Sequence, residues 1–294
     1  MKAAPFEYAR AASIDEACAL LARHGVDARL IAGGQSLVPM MAMRLVRPSV
    51  LVDIHRIAAL HEWRIDQDTL CVRACVRQNV IEREPVLGSA VPLLRKAIRW
   101  IGHTQTRNRG TVGGSLAHAD PSAELPLVAV MLDARLLLRS SSGDRSIAGA
   151  AFFTGPMSTT LGPAECLFEV RFPIWREPRV GSAFEEVAIR HGDFALVAVA
   201  AQVAMQADGS CARAAIGVGG AAPSPVAFPD VASRLIGTRL DDAVLREAAD
   251  AIARRLDPMS DLHANGDYRR HLAHTLIVRT LGAARDEALA PSHG

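Results

Sequence analysis

Two short glycine-bearing segments carry the residues best suited to do chemistry in this chain: Ala32-Gly33-Gly34-Gln35-Ser36 and Thr111-Val112-Gly113-Gly114-Ser115. Consecutive glycines permit positive φ and close backbone approach, so successive N–H groups can converge on phosphate oxygens, and a neighbouring Ser or Thr hydroxyl adds a donor. Two such segments predict two backbone cradles for one diphosphate. Each segment by itself reads equally as a tight turn, and spacing alone names no cofactor. If both are cradles, a branched side chain at Gly33 or Gly113 should fill phosphate space with little loss of fold.

Other chemistry finds less support. Gly217-Val218-Gly219-Gly220-Ala221-Ala222 fits a dinucleotide fingerprint, but Pro223 and Pro225 stand where its helix should start, so the stretch reads as a loop. No Gly-Lys-Ser/Thr phosphate loop occurs. The five cysteines, Cys18, Cys71, Cys75, Cys166 and Cys211, are odd in number and form no Cys-x-x-Cys pair, so neither a disulfide framework nor a zinc or iron–sulfur site is expected. Cys71 and Cys75 alternate with Leu70, Val72, Ala74 and Val76, which puts both on one face of an expected strand. His271 and His274 share a helical face but lack a third ligand, so they read as part of a surface helix.

The elements that must position the glycine segments are a mixture of α and β. Ser13-Ile14-Asp15-Glu16 is a capping box opening a helix that Gly25 stops, and Arg29–Ala32 and Val50–Ile54 read as strands on either side of the first segment. A strand around Leu70–Val76 and a helix led by Pro92 precede the second segment; Leu125–Leu132 reads as helix, and Arg135–Arg139 and Leu167–Phe172 as strands. Two prolines bracket the charged stretch from Pro173 to Pro178, a natural boundary. Beyond it come strand-like runs at Ser182–Arg190, Phe194–Gln206 and Ala212–Val218, then helices near Asp241–Arg255 and Tyr268–Leu281, the order expected of a separate α+β domain.

At 294 residues the chain is long enough for two domains at about 150 residues each. It is 50% hydrophobic and 22% charged, enough to bury sizeable cores. A net charge of +2 gives no electrostatic case for nucleic acid or an anionic surface. No apolar run is long enough to span a bilayer and the first residues lack the apolar core of a signal peptide, so a cytoplasmic location is expected.

The residues around the glycine segments add what spacing does not. Ala32–Met41 and Ile101–Pro121, with Arg190-His191-Gly192-Asp193-Phe194-Ala195 and Tyr268-Arg269-Arg270-His271-Leu272, resemble the signature segments of the FAD-binding medium subunits of molybdenum hydroxylases. These are the flavoproteins of the carbon monoxide dehydrogenase and xanthine dehydrogenase family, and the resemblance covers nearly the whole chain. It implies an α+β chain with an FAD-binding fold of the vanillyl-alcohol-oxidase type in two subdomains (1–57 and 58–176). A C-terminal α+β domain with a small antiparallel sheet and helices (177–287) and a tail (288–294) would follow.

Carried onto matching positions, the resemblance has Ala32, Gly33, Gly34, Gln35, Ser36 and Leu37 hold the FAD diphosphate from one side, and Thr111, Gly113, Gly114 and Ser115 from the other. It places Asp120 by the ribityl or ribose hydroxyls, where a carboxylate accepts hydrogen bonds, although Asp120 could equally cap the helix after Pro121. Asp193 and Phe194 would lie by the isoalloxazine, with Phe where family members often carry Tyr. Leu167 is a further contact candidate, or plain core. Arg107 and Arg109 could assist phosphate binding, meet a partner subunit or be solvated.

The function implied is electron transfer: an FAD-binding subunit of a heterotrimer that takes electrons from the [2Fe–2S] clusters of a small subunit and passes them to NAD+, a quinone, a cytochrome or oxygen. A large molybdopterin-binding subunit would hold the organic substrate, and the heterotrimer is expected to be doubled. No catalytic residue, metal ligand or membrane span is expected in this chain. The alternatives are a stand-alone FAD-dependent oxidoreductase, which needs a base not identified here, and a flavin-free structural subunit.

Overall fold

The computed structural model describes residues 2–290. Its N-terminal part is a parallel sheet of β1 (Glu7–Arg10), β2 (Ala28–Ile31) and β3 (Val50–Asp53) in the order β1-β3-β2, with helices α1 (Ile14–His24) and α2 (Leu37–Ala42) between the strands. The Ser13 hydroxyl accepts the Glu16 N–H at 3.1 Å and caps α1, while the Glu16 carboxylate reaches back to the Ala12 N–H at 2.7 Å. Gly25, at φ 56°, ends the helix. Ile14, Ala17, Cys18 and Leu21 recur at helical spacing and form the buried face.

The middle part contains β4 (Trp63–Asp66), β5 (Thr69–Arg73), α3 (Gln78–Arg83), α4 (Pro85–Ala90), α5 (Pro92–Ile98), α6 (Thr104–Arg109), α7 (Val112–His118) and α8 (Glu124–Met131). It continues through β6 (Arg135–Ser140), β7 (Gly143–Ala148), α9 (Gly149–Phe152), a small hairpin of β8 (Phe153–Gly155) and β9 (Ser158–Thr159), and β10 (Cys166–Pro173). The sheet is antiparallel, in the order β4-β5-β10-β6-β7. Leu70, Val72, Leu136, Leu138, Val170 and Phe172 join the largest core, shared with α5 and the wholly buried α8. The other face is charged: the fully buried Glu169 meets Arg171 at 2.6 Å, Arg64 at 2.8 Å and Arg73 at 3.2 Å. Burial pushes this carboxyl up, but the guanidiniums outweigh it and hold it below the usual carboxylate range.

The last part is an antiparallel sheet of β11 (Val180–Ala188), β12 (Ala195–Met205), β13 (Cys211–Gly219) and β14 (Val226–Ala227), followed by α10 (Pro229–Leu235), α11 (Asp242–Ala253) and α12 (Gly266–Leu289). Every residue of β12 is buried, because its two faces serve two cores. Ala198 and Ala200 face the middle part, and Val197, Val199, Ala201 and Val203 face the C-terminal helices.

Three expectations change. The strand predicted over Leu70–Val76 ends at Arg73: Ala74 still donates to Phe168 of β10, but its carbonyl accepts the Gly113 N–H in place of a strand partner. Cys71 and Cys75 therefore do not share a strand face: Cys75 joins the N-terminal core and Cys71 lies beneath the Glu169 charges. The C-terminal helix runs from Gly266, capped by Asn265, through Leu289, so part of the expected tail is helical and residues 291–294 lie outside the described residues. In the Gly217–Ala222 stretch, Gly217 and Gly219 belong to β13 and the loop begins only at Gly220.

Candidate cofactor site

The first glycine segment leaves β2 at the C-terminal end of the parallel sheet, where α/β folds commonly hold ligands. Gly34 has φ +71°, which turns the chain, and α2 starts at Leu37. Across Gly33–Leu37 no backbone N–H donates to any acceptor among the described residues. The Gln35 side chain fixes the loop from within, donating to the Gly33 carbonyl at 3.2 Å. A row of open amides is the arrangement an anion needs.

The second segment is built differently. Thr111 is the N-cap of α7, and its hydroxyl accepts the Gly114 N–H at 3.0 Å. Val112 donates to the Val76 carbonyl at 2.9 Å, Gly113 to Ala74 at 2.9 Å and Ser115 to Thr111 at 3.1 Å. The amides of Val112–Ser115 are therefore committed within the chain. Thr111 is buried, Gly114 exposed and Ser115 half-buried, so this side presents the Ser115 hydroxyl at a helix start.

The first segment packs on Arg109 and Gly110, just ahead of the second. A Cβ on Gly33 would lie against the Arg109 carbonyl and 3.0 Å from Gly110 Cα; on Gly113 it would sit 2.7 Å from Ala74 Cα. Both vectors point into protein, so the expectation that a branched side chain would fill phosphate space with little loss of fold is corrected. These glycines allow backbones to pack, and substitution there acts on the fold.

A cavity of about 420 Å³ opens beside the first segment, lined by Ala32, Gly33, Gly34, Gln35, Val38 and Pro39 from that loop, and by Tyr8, Ile31, Asp53, His55 and Arg109; Ser36, Leu37, Thr111, Gly113, Gly114 and Ser115 do not line it. The Arg109 guanidinium is exposed and bonds no group among the described residues. Arg107 differs: it is buried, paired with Glu82 at 2.9 Å, and donates to the Ile101 and Gly102 carbonyls at 3.0 and 3.2 Å. Tyr8 donates its hydroxyl to Asp53, whose other oxygen accepts the His55 N–H at 2.8 Å. Burial raises the Asp53 carboxyl, but these two donors outweigh it and hold it below the ordinary value. Burial depresses the His55 imidazole, against the pull of Asp53.

The remaining candidates fall outside that lining. Asp120 is buried after α7 and accepts the Ser122 N–H at 2.9 Å, an Asx turn ahead of α8, which Ala123 caps. Leu167 is buried core opposite Leu138. Asp193 pairs with Arg190 at 3.1 Å, and Phe194 is 71% exposed on the β11–β12 loop. That loop reaches the middle part: the His191 and His103 rings stack at 6.3 Å, and Gly192 packs on His103.

Sequence reasoning passed over Tyr8, Asp53 and His55, and left Arg109 undecided. The signal for Asp53 was its place at the end of β3, next to β2 in the sheet. Reading it needed the strand order. Glu124 was also missed. It starts α8 with burial driving its carboxyl up to about 7, and Glu186 of β11 is pushed up to about 8 by burial and by Glu124.

Comparison with known proteins identifies the family and agrees with the fold. Residues 4–175 match the model of the FAD binding domain in molybdopterin dehydrogenase, and residues 182–284 that of the CO dehydrogenase flavoprotein C-terminal domain. The 6-hydroxypseudooxynicotine dehydrogenase complex subunit alpha of Paenarthrobacter nicotinovorans is 38% identical over 98% of this chain and 97% of its own. The carbon monoxide dehydrogenase medium chain of Hydrogenophaga pseudoflava is 34% identical over 95% and 96%. The crystal structure of quinoline 2-oxidoreductase from Pseudomonas putida 86 has a chain superposing with a TM-score of 0.93 at 38% identity, covering 99% of this chain and 100% of that one. With a fold of two FAD-binding subdomains and a C-terminal domain, this chain belongs to the family of FAD-binding medium subunits of molybdenum hydroxylases, flavoprotein components of oxidoreductases.

Proposed function

We propose that this chain accepts electrons from the [2Fe–2S] clusters of a small partner subunit and delivers them through FAD to an external acceptor. The proposed assembly is a cytoplasmic complex with a large molybdopterin-binding subunit, built as a doubled heterotrimer. The observation that carries the reading is the cavity lined both by the first loop, whose Gly33–Leu37 amides donate to nothing among the described residues, and by Arg109, whose guanidinium has no partner among them. Backbone donors and one fixed cation fit a diphosphate better than they fit a neutral ligand.

In this reading Ala32–Leu37 donate to one diphosphate face and Arg109 supplies the countercharge, while Ser115 offers a hydroxyl and Thr111, Gly113 and Gly114 keep that side close. Asp53, held ionised by Tyr8 and the His55 N–H, accepts a ligand hydroxyl at the rim. Asp120 takes the ribityl or ribose hydroxyls. Asp193 and the exposed Phe194 flank the ring, and Leu167 supports the site from the core. Bound FAD supplies the exchange between single-electron iron–sulfur clusters and a one- or two-electron acceptor; the protein fixes its position and surroundings. The domain limits 1–57, 58–176 and 177–287 fit this division of labour.

The test is co-expression with candidate large and small subunits, followed by anaerobic addition of the complex's substrate. Flavin bleaching that requires both partners supports the reading. Bleaching by an organic substrate with this chain alone would replace it with a stand-alone oxidoreductase.

A further inference from the structure

Away from the cofactor cavity, two thiols lie side by side in the seam between the N-terminal and middle parts. Cys18 projects from α1 and Cys166 opens β10; their Sγ atoms are 3.5 Å apart and both side chains are fully buried. The contact bridges a sequence separation of 148 residues. Cys18 Sγ also lies 3.3 Å from the Arg139 carbonyl, which accepts its S–H. Cys75 belongs to the same core. We propose that Cys18 and Cys166 are a latent disulfide pair, which a peroxide converts to a covalent clamp between α1 and the five-stranded sheet.

Geometry supports the pairing. A disulfide needs sulfur atoms at about 2.05 Å, so closure asks each side chain to move by under an ångström or so and leaves both backbones in their elements. The environment assigns roles to the two sulfurs. The Cys166 hydrogen bond holds the Cys18 thiol below its ordinary value, assisted by Arg139 and opposed by burial, Asp15 and Asp144. Cys166 is held far above, by the same hydrogen bond and by burial. Of the two sulfurs, Cys18 is therefore assigned the first attack, losing its proton in that step.

The chemistry balances without another reagent. Cys18 sulfur attacks one peroxide oxygen, the O–O bond breaks, and the departing oxygen leaves as water after taking the thiol proton, which gives a sulfenic acid. Cys166 sulfur then attacks Cys18, the S–O bond breaks, and a second water leaves with the Cys166 proton. Two thiols are oxidised by two electrons in total, and one peroxide is reduced to two waters. Because both thiols are fully buried, the smallest peroxide, hydrogen peroxide, is the probe.

The full-length chain is treated with graded hydrogen peroxide, digested without reduction and mapped by mass spectrometry. Oxidation of the exposed Met259 reports that the dose sufficed. The expected result is a peptide pair linked through Cys18 and Cys166, reversed by dithiothreitol, with Cys71 and Cys211 still free. The thermal midpoint should rise on oxidation by several degrees, and the rise should vanish in Cys18→Ala. Full oxidation of Met259 with Cys18 and Cys166 both still alkylatable after unfolding would overturn the proposal. So would a bond from Cys166 to Cys75, or sulfinic acid at Cys18 with no link. Peptide mapping of the unsubstituted chain decides the matter even if the alanine variant fails to fold.

Discussion

The two glycine segments look alike as strings and differ as structures. The first leaves its amides open around a cavity, whereas the second spends them on Val76, Ala74 and Thr111 while Gly113 lies on the backbone of Ala74. Gly-Gly next to Ser or Thr thus describes two devices: a loop of open amides that follows a parallel strand, and a close-packed helix start. The chain entering the second holds the first in place, because Gly33 packs on Arg109 and Gly110 just before the α7 cap.

If the second segment is a packing device, Gly113→Val should cause the largest substitution effect, a loss of about 4 kcal/mol or more of stability, since its branched side chain overlaps Ala74. Chemical denaturation checks this. A soluble Gly113→Val variant of unchanged midpoint that merely lost FAD would reverse the assignment.

The buried carboxyls beside that second segment add a pH signature. Burial pushes the Glu124 and Glu186 carboxyls up to about 7 and about 8 in the folded chain, from an ordinary 4.5. The folded state then binds more protons than the unfolded one between these limits, so stability is full below about pH 4.5 for these groups and falls as pH rises toward 8. Between pH 5 and 8 the loss should be about 6 kcal/mol for the two groups together. Denaturation midpoints of the FAD-free chain from pH 5 to 8, with Glu186→Gln flattening the slope, test it.

On the open side the effects should fall on binding. Arg109→Ala removes a guanidinium with no partner among the described residues, so FAD affinity should drop about tenfold, near 1.4 kcal/mol, while stability moves by less than about 0.5 kcal/mol. Fluorescence titration and thermal melts give both numbers. Thr111→Ala should do the reverse, costing about 1 kcal/mol of stability through the lost α7 cap. Its FAD affinity should change less than that of Arg109→Ala.

Much of the fold was legible. The capping box at Ser13, the period-2 strands of the last sheet and the proline-led α5 all read from local rules, because each records its own burial. What was not legible depended on partners distant in sequence. Ala74 falls outside the strand because its carbonyl takes Gly113 in place of a strand partner. Arg107 and Arg109 are indistinguishable as letters, yet one is locked by Glu82 and the other lines the cavity. The Asp53 site needed β3 to lie between β1 and β2, a matter of sheet order that no local pattern encodes.

The central claim concerns which amides are free, and residue-resolved amide hydrogen exchange with and without FAD reads them directly. The account predicts fast exchange at Gly33–Leu37 that FAD slows strongly, with Val112–Ser115 already protected and little changed. Strong new protection at Val112–Ser115 and none at Gly33–Leu37 would contradict it.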